Sequence, residues 1–184
     1  MIDAMQANKI LAEARQIYTA SEVSAAIKNL AVQISAQLKD EHPMVLSVMG
    51  GAVFFSGHLL PLLNFPLEFE AIHISRYGGA TSGGKTEWRV MPKEPIAGRT
   101  ILVLDDILDE GHTLKAIHDK MFELGAKRVV SAVLVEKDIG RAKPIRADFV
   151  GLTVPNEYVF GCGMDVFGAW RNLPAIYALA RGEK

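Results

Sequence analysis

The sequence holds one cysteine, Cys162, in 184 residues. A single thiol makes no disulfide framework, so packing must hold the fold, and a reducing, cytoplasmic compartment is expected. No apolar run approaches the ~20 residues a membrane helix needs, and no basic segment followed by an apolar stretch opens the chain; no membrane association is expected. Long runs of one charge are missing too. The net charge is −1, which argues against a broad electropositive nucleic-acid face while leaving room for a local phosphate pocket. His42, His58, His73, His112 and His118 show no metal-ligand spacing, so a zinc site is not expected. There is no repeat, low-complexity tract or linker, and the chain is read as one domain over residues 1–184, with a helical N-terminal segment 1–42 and a core 43–184.

What is present suits a packed globule: 49% of the residues are apolar and 22% charged, which excludes disorder. Apolar residues recur at helical spacing from about Lys9 to Tyr18 and again from Ser21, a candidate N-cap, to Lys39. In the second helix Val23, Ile27, Leu30, Ile34 and Leu38 trace one stripe that should lie on a sheet. Pro43 ends it. Met44 to Met49 then reads as a buried strand, followed by Gly50-Gly51 and a helix from Ala52 to Leu63. Two glycines at a strand-to-helix turn are weak evidence of function, since any tight turn wants them. Leu67 to Arg76 alternates as a strand. The stretch Tyr77 to Thr86 is glycine-rich and too long for an ordinary hairpin, and Trp88 to Met91 returns as a strand.

The richest stretch is Arg99 to Ala116. Ile101 to Leu104 is a short unbroken apolar run of the kind buried on both faces of a sheet, with Asp105 and Asp106 at its carboxyl end. In an open parallel sheet that end lines the ligand crevice, where paired carboxylates can meet hydroxyls or a hydrated cation. A turn, Asp109-Glu110-Gly111-His112-Thr113, leads into an amphipathic helix that runs to Leu124 and stops at Gly125. A helix start offers unpaired N–H groups to an anion, and Thr113 adds a hydroxyl. Three aspartates within five residues, beside an apolar strand and a Gly-x-Thr turn, favour function over a merely solvated turn. Arg128 to Val135 supplies a further strand. Helices alternating with strands imply a parallel sheet, with Glu136-Lys137 at the same edge as the aspartates.

The stretch around Asp105 resembles the phosphoribosyl pyrophosphate (PRPP) motif of the type I phosphoribosyltransferases, departing from it at Glu110 and His112. The segment from Asp148-Phe-Val-Gly through Pro155, Tyr158-Val-Phe-Gly, Asp165 and Arg171-x-Leu resembles the base-binding end of the hypoxanthine-guanine members. The likeness covers Val48 to Leu173. It implies an α/β fold, a type I phosphoribosyltransferase-like parallel sheet flanked by helices with a small base-binding hood. It also implies transfer of the phosphoribosyl group from PRPP to a 6-oxopurine, with Mg²⁺ as cofactor and a homodimer or homotetramer as the assembly.

Carried onto this chain, the resemblance implies that Met49, Gly50, Gly51, Asp105, Asp106, Asp109, Glu110, Gly111, His112, Thr113 and Arg171 bind PRPP. Asp109 would be the general base, and Asp105, Asp106 and Asp165 would serve the metal. Lys137, Tyr158, Val159 and Asp165 would bind the base, and Arg76 and Tyr77 belong to a closing lid that includes the glycine-rich loop. A non-proline cis bond would join Val48 to Met49. Counting from the upstream strand places Glu136 at the base-reading position; counting back from Asp148 places Lys137 there, and the second anchor is the firmer. Two rival readings exist. One is transfer to xanthine or adenine, and the other is a regulator that senses PRPP or nucleotide, which should carry a basic face or an added DNA-binding module.

Overall fold

A computed structural model describes residues 2–77 and 85–180. Six strands form one sheet in the order β4-β3-β2-β5-β6-β7. They are β2 (Met44–Val48), β3 (Glu68–Tyr77), β4 (Lys85–Val90), β5 (Thr100–Leu108), β6 (Arg128–Lys137) and β7 (Phe149–Val154). All neighbours are parallel except the edge pair β3 and β4. Strand alternation sorts the core into two layers. Leu102 and Leu104 join Val45, Leu134 and the stripe Val23, Ile27, Leu30, Ile34 and Leu38 of α2 (Ala20–Leu38) on one face. Ile101 and Val103 face the other way, with Leu46, Ile72 and residues Leu114, Ile117 and Met121 of α4 (His112–Glu123). Burial on both sides is why these strands read as continuous apolar runs.

From β2 the chain builds outward through β3 to β4, then crosses back to lay β5 on the other side of β2. The carboxyl ends of β2 and β5 therefore open a crevice at a switch point in strand order, the place where open α/β sheets bind ligands. The acid-rich turn leaves β5 there, and the Gly50-Gly51 turn leaves β2 toward α3 (Val53–Leu59), which ends in a single 3₁₀ turn, Leu60–Leu62.

The N-terminal segment departs from the all-helical expectation. The first helix, α1, is Ala4–Glu13, and Arg15–Tyr18 is a strand, β1, pairing antiparallel with β9 (Ile176–Ala178), which also pairs with β8 (Val159–Phe160). The helical periodicity continues locally through Tyr18, but pairing with a strand near the other end of the chain overrides it. Thr19, not Ser21, caps α2, in a reciprocal box with Glu22. The hood is thus built from both ends of the sequence. α1 packs Ile10 against Phe160 and Val166, and the Trp170 indole N–H donates to Ala7 O at 2.7 Å, 163 residues away.

Of the two edge strands, β3 has the expected length shifted by one residue, Glu68–Tyr77 against Leu67 to Arg76, and β4 begins three residues before Trp88, at Lys85. Arg76 and Tyr77 end β3 opposite Thr86 and Lys85. Residues 78–84, the rest of the expected lid, lie outside the described residues.

Candidate active site

β5 extends through Leu108, so Asp105 and Asp106 sit within the strand and not after it. Both are buried. Their carboxylates fold back on the local main chain, Asp105 Oδ1 accepting from Asp106 N at 3.0 Å and Asp106 Oδ1 from Ile107 N at 2.9 Å. Burial, aggravated by the charge of Asp106, holds the Asp105 carboxyl well above the usual range. Burial also raises Asp106, against the pull of its hydrogen bonds and of the Arg171 guanidinium. Gly51 closes over the pair, and a Cβ there would stand 1.9 Å from Asp106 Oδ2.

The turn from Asp109 to Thr113 enters α4 through Gly111, whose φ of 85° suits glycine. Side chains of Asp3 and Thr19 cap α1 and α2, whereas no side chain among the described residues caps α4, whose first residues line the cleft. Glu110 is matched by one cation outside the turn, Arg141, whose Nη2 lies 2.9 Å from Oε1, and His112 Nε2 within the turn lies 3.9 Å from Oε2. The cleft, 520 Å³, is lined by residues 48–51, 105–114, His73 and Arg171. Every residue expected on the PRPP side is among them.

A second cavity of 220 Å³ adjoins it, lined by Asp106, Ile107, Asp109, Lys137, Tyr158, Val159, Met164, Asp165 and Arg171. Asp106, Ile107, Asp109 and Arg171 thus form a wall common to the two spaces. Lys137, with its side chain 12% exposed, reaches Asp109 Oδ2 at 2.5 Å. Glu136, its neighbour along the strand, pairs instead with Lys143 at 3.1 Å, so Lys137 is the one of the two that enters the cavity. Tyr158 is 50% exposed, stacks on Phe167 at 6.3 Å and donates its hydroxyl to Asp165 O at 3.2 Å. Burial, with the nearby Asp165 charge, raises the Tyr158 phenol. Arg171 pairs with Asp165 and donates to Gly163 O at 2.6 Å, and Asp165 Oδ2 accepts from Gly168 N at 2.7 Å. These contacts fix the guanidinium where the two cavities meet.

The cis peptide expected at Val48-Met49 lies one bond later, at Met49-Gly50, on the residue with no Cβ to crowd the preceding Cα. Of the residues that line the two cavities, sequence reasoning missed Val48, His73, Ile107, Leu108, Leu114 and Met164. Ile107 could have been found as the apolar position between Asp106 and Asp109, whereas His73 and Met164 carry no local signal. Among the described residues no three His, Cys, Asp or Glu side chains gather so as to hold an ion unaided. Asp105 and Asp106, buried without a salt-bridge partner among the described residues, suit a divalent cation that brings most of its oxygens with the substrate.

A largely parallel sheet with a glycine-entered helix start and paired acids at its switch point is an arrangement suited to a phosphate-bearing ligand, and similarity to known proteins points to the class. The sequence profile of the phosphoribosyl transferase domain matches residues 13–166, and the chain belongs to that family. It is 33% identical over 159 residues to the hypoxanthine-guanine phosphoribosyltransferase of Streptococcus pneumoniae (strain ATCC BAA-255 / R6), covering 86% of this chain and 88% of that protein. It is 34% identical to the hypoxanthine-guanine-xanthine phosphoribosyltransferase of Tritrichomonas foetus, covering 88% and 89%. A hypoxanthine-guanine phosphoribosyltransferase structure from Bacillus anthracis superposes with a TM-score of 0.82 at 26% identity, over 90% of this chain and 98% of that one. The chain spans only 24% of the bifunctional TilS/HprT protein of Listeria innocua, which it matches at 35% identity over 84% of its own length. No helix among the described residues is long and apolar enough to cross a membrane.

Proposed function

We propose that this protein transfers the 5-phosphoribosyl group from PRPP to a ring nitrogen of hypoxanthine or guanine, releasing pyrophosphate and serving purine salvage. The observation that carries this reading is the common wall: a phosphate-type cleft and a base-sized cavity meet at Asp106, Ile107, Asp109 and Arg171. Two substrates bound side by side across that wall would have their reacting atoms at the junction.

The N–H groups at the start of α4, with Thr113, hold the 5′-phosphate, and Gly111 and His112 shape that turn. Glu110 contributes its main chain there, since its carboxylate is turned toward Arg141. Met49, Gly50 and Gly51 approach the pyrophosphate through their backbone. Arg171 offers it a planar fork of donors that neutralises charge as the anomeric C–O bond breaks. Asp105 and Asp106 fix the ribose hydroxyls. Asp109, at the junction, accepts the proton that the purine nitrogen loses on forming the new bond. In the second cavity Tyr158 stacks on the base, Val159 presents main-chain groups to its edge, and Lys137 donates to the 6-oxo oxygen. Mg²⁺ would be held by Asp105 and Asp106, with Asp165 acting through water, and when bound it spreads the charge of the pyrophosphate. Arg76 and Tyr77, at the end of β3, belong to the lid of this reading, whose other residues, 78–84, lie outside the described residues.

Xanthine is a second candidate base, because its 6-oxo group offers Lys137 the same acceptor and the Tritrichomonas foetus relative is named for it. Adenine presents a 6-amino donor to the lysine. Pyrophosphate release from PRPP and Mg²⁺, measured with hypoxanthine, guanine, xanthine and adenine in turn, tests the reading. Turnover with the first two and little with adenine is expected; silence with all four refutes it. The reading includes a cytoplasmic homodimer or homotetramer, which sedimentation of the purified protein checks.

A further inference from the structure

The ladder between β5 and β6 ends at the register pair Leu108 and Glu136, where β5 stops, and β6 runs one residue further, Lys137 still pairing with Val154 of β7. Past that point the main-chain carbonyls need another donor. Lys143 supplies it. Its Nζ donates to Leu108 O at 2.9 Å, to Lys137 O at 2.6 Å and to Glu136 Oε1 at 3.1 Å. The side chain is 7% exposed. An ammonium has three donors and no acceptor, and here three oxygens take them.

The strand ends tied in this way carry the site. Leu108 O is one peptide from Asp109, and Lys137 O belongs to the residue whose ammonium meets Asp109 Oδ2. The same contact turns Glu136 away from the base cavity. The aliphatic stem packs beneath the phosphate turn, with Lys143 Cβ 3.4 Å from where a Gly111 Cβ would stand.

We infer that Lys143 is a positioning residue that sets the distance between Lys137 and Asp109, and through it the recognition of the base. This rests on the functional reading above. Lys143 lines neither substrate cavity and acts through the main chain of the two strand ends.

Lys143→Met keeps a stem beneath Gly111 but removes all three donors. The base pair of residues should loosen while the phosphate turn stays packed. Steady-state kinetics, varying guanine at saturating PRPP and then the reverse, should show the KM for guanine raised by about tenfold or more, the KM for PRPP within about twofold of wild type, and a narrowed preference over adenine. Because the variant leaves Glu136 without its cation, Glu136→Gln/Lys143→Met is measured alongside. It removes that charge, carries the test if the single variant does not fold, and should show the same split.

A folded variant with unchanged guanine KM and adenine discrimination overturns the inference. So does an equal rise in both KM values, or a lowered Tm with unchanged kinetics, which would mark the lysine as structural only. If the wild-type protein turns over no purine, the functional reading fails and the positioning role fails with it. Wild-type turnover beside an unaffected Lys143→Met refutes the positioning role alone.

Discussion

Gly51→Ala tests the geometry of the acid pair with a single methyl group. The Cβ of the alanine would lie 1.9 Å from Asp106 Oδ2 and 2.3 Å from its Cγ. Ordinary contact requires roughly 3.4 Å or more, so carboxylate and loop must separate by about 1.5 Å. The carboxylate has little room to yield, being buried and engaged with Ile107 N. Overpacking of this kind costs about 1–3 kcal/mol, a fall in Tm of roughly 2–12 °C for a chain of this length. The larger effect should be on turnover, because misplacing a substrate-fixing group by about 1 Å can cost around 10²-fold. Gly57→Ala is the control: it lies in α3 with nothing within 4 Å of a built Cβ, and an alanine in a helix should be neutral or stabilising by up to about 1 kcal/mol. Pyrophosphate release and thermal melts on both variants decide the matter. If Gly51→Ala keeps wild-type kcat and PRPP KM, Asp106 does not need its observed position and the reasoning fails.

Asp109→Asn keeps an acceptor for Lys137 but cannot take a proton, so kcat should fall by about 10²–10⁴ with the PRPP KM largely kept; near-normal turnover would remove the general-base role. Lys137→Gln should weaken guanine and hypoxanthine use and narrow the gap to adenine, whereas Glu136→Gln should leave discrimination intact, since that carboxylate faces Lys143. Burial lowers the folded-state pKa of His118, and its Nε2 has no hydrogen-bond partner among the described residues. The unfolded chain therefore binds that proton more tightly, and stability is lost as pH falls below about 6.5 toward the folded value. His118→Leu should raise Tm and flatten that acid limb, with Asp148, Asp119 and Lys115 left as the neighbouring charges. Melts at pH 5 and pH 8 that show the same shift would contradict this account.

The architecture around Asp105 was legible because its parts are consecutive: a strand, two acids, a turn and a helix follow within eighteen residues, and local periodicity announces each. That Lys137 and not Glu136 lines the second cavity agrees with the count back from Asp148, and its meeting with Asp109 comes from strand register. β1 was not legible. Arg15-Gln-Ile-Tyr continues a helical pattern, and the partner that makes it a strand is Ile176–Ala178, which no window of neighbouring residues contains. The second substrate cavity was foreseeable as a set of residues but not as a shape, since its wall is shared with the first only once β5, β6 and the hood are assembled.

The hood's construction from both chain ends also orders events in time. The sheet from β2 to β7 joins segments near one another in sequence, but β1 meets β9 only after nearly the whole chain has been drawn into a loop. Each doubling of loop length adds about 0.6 kcal/mol of closure entropy, so the β1–β9 pairing is expected to close late and to open before the central strands. Amide exchange in β8 and β9 should therefore report openings that leave β5 and β6 protected. The first cleft is lined almost wholly by residues 48–51 and 105–114 of the sheet side, whereas Tyr158, Val159, Met164 and Asp165 of the hood complete the second, so an opening of the hood should undo the second cavity while costing the first only Arg171.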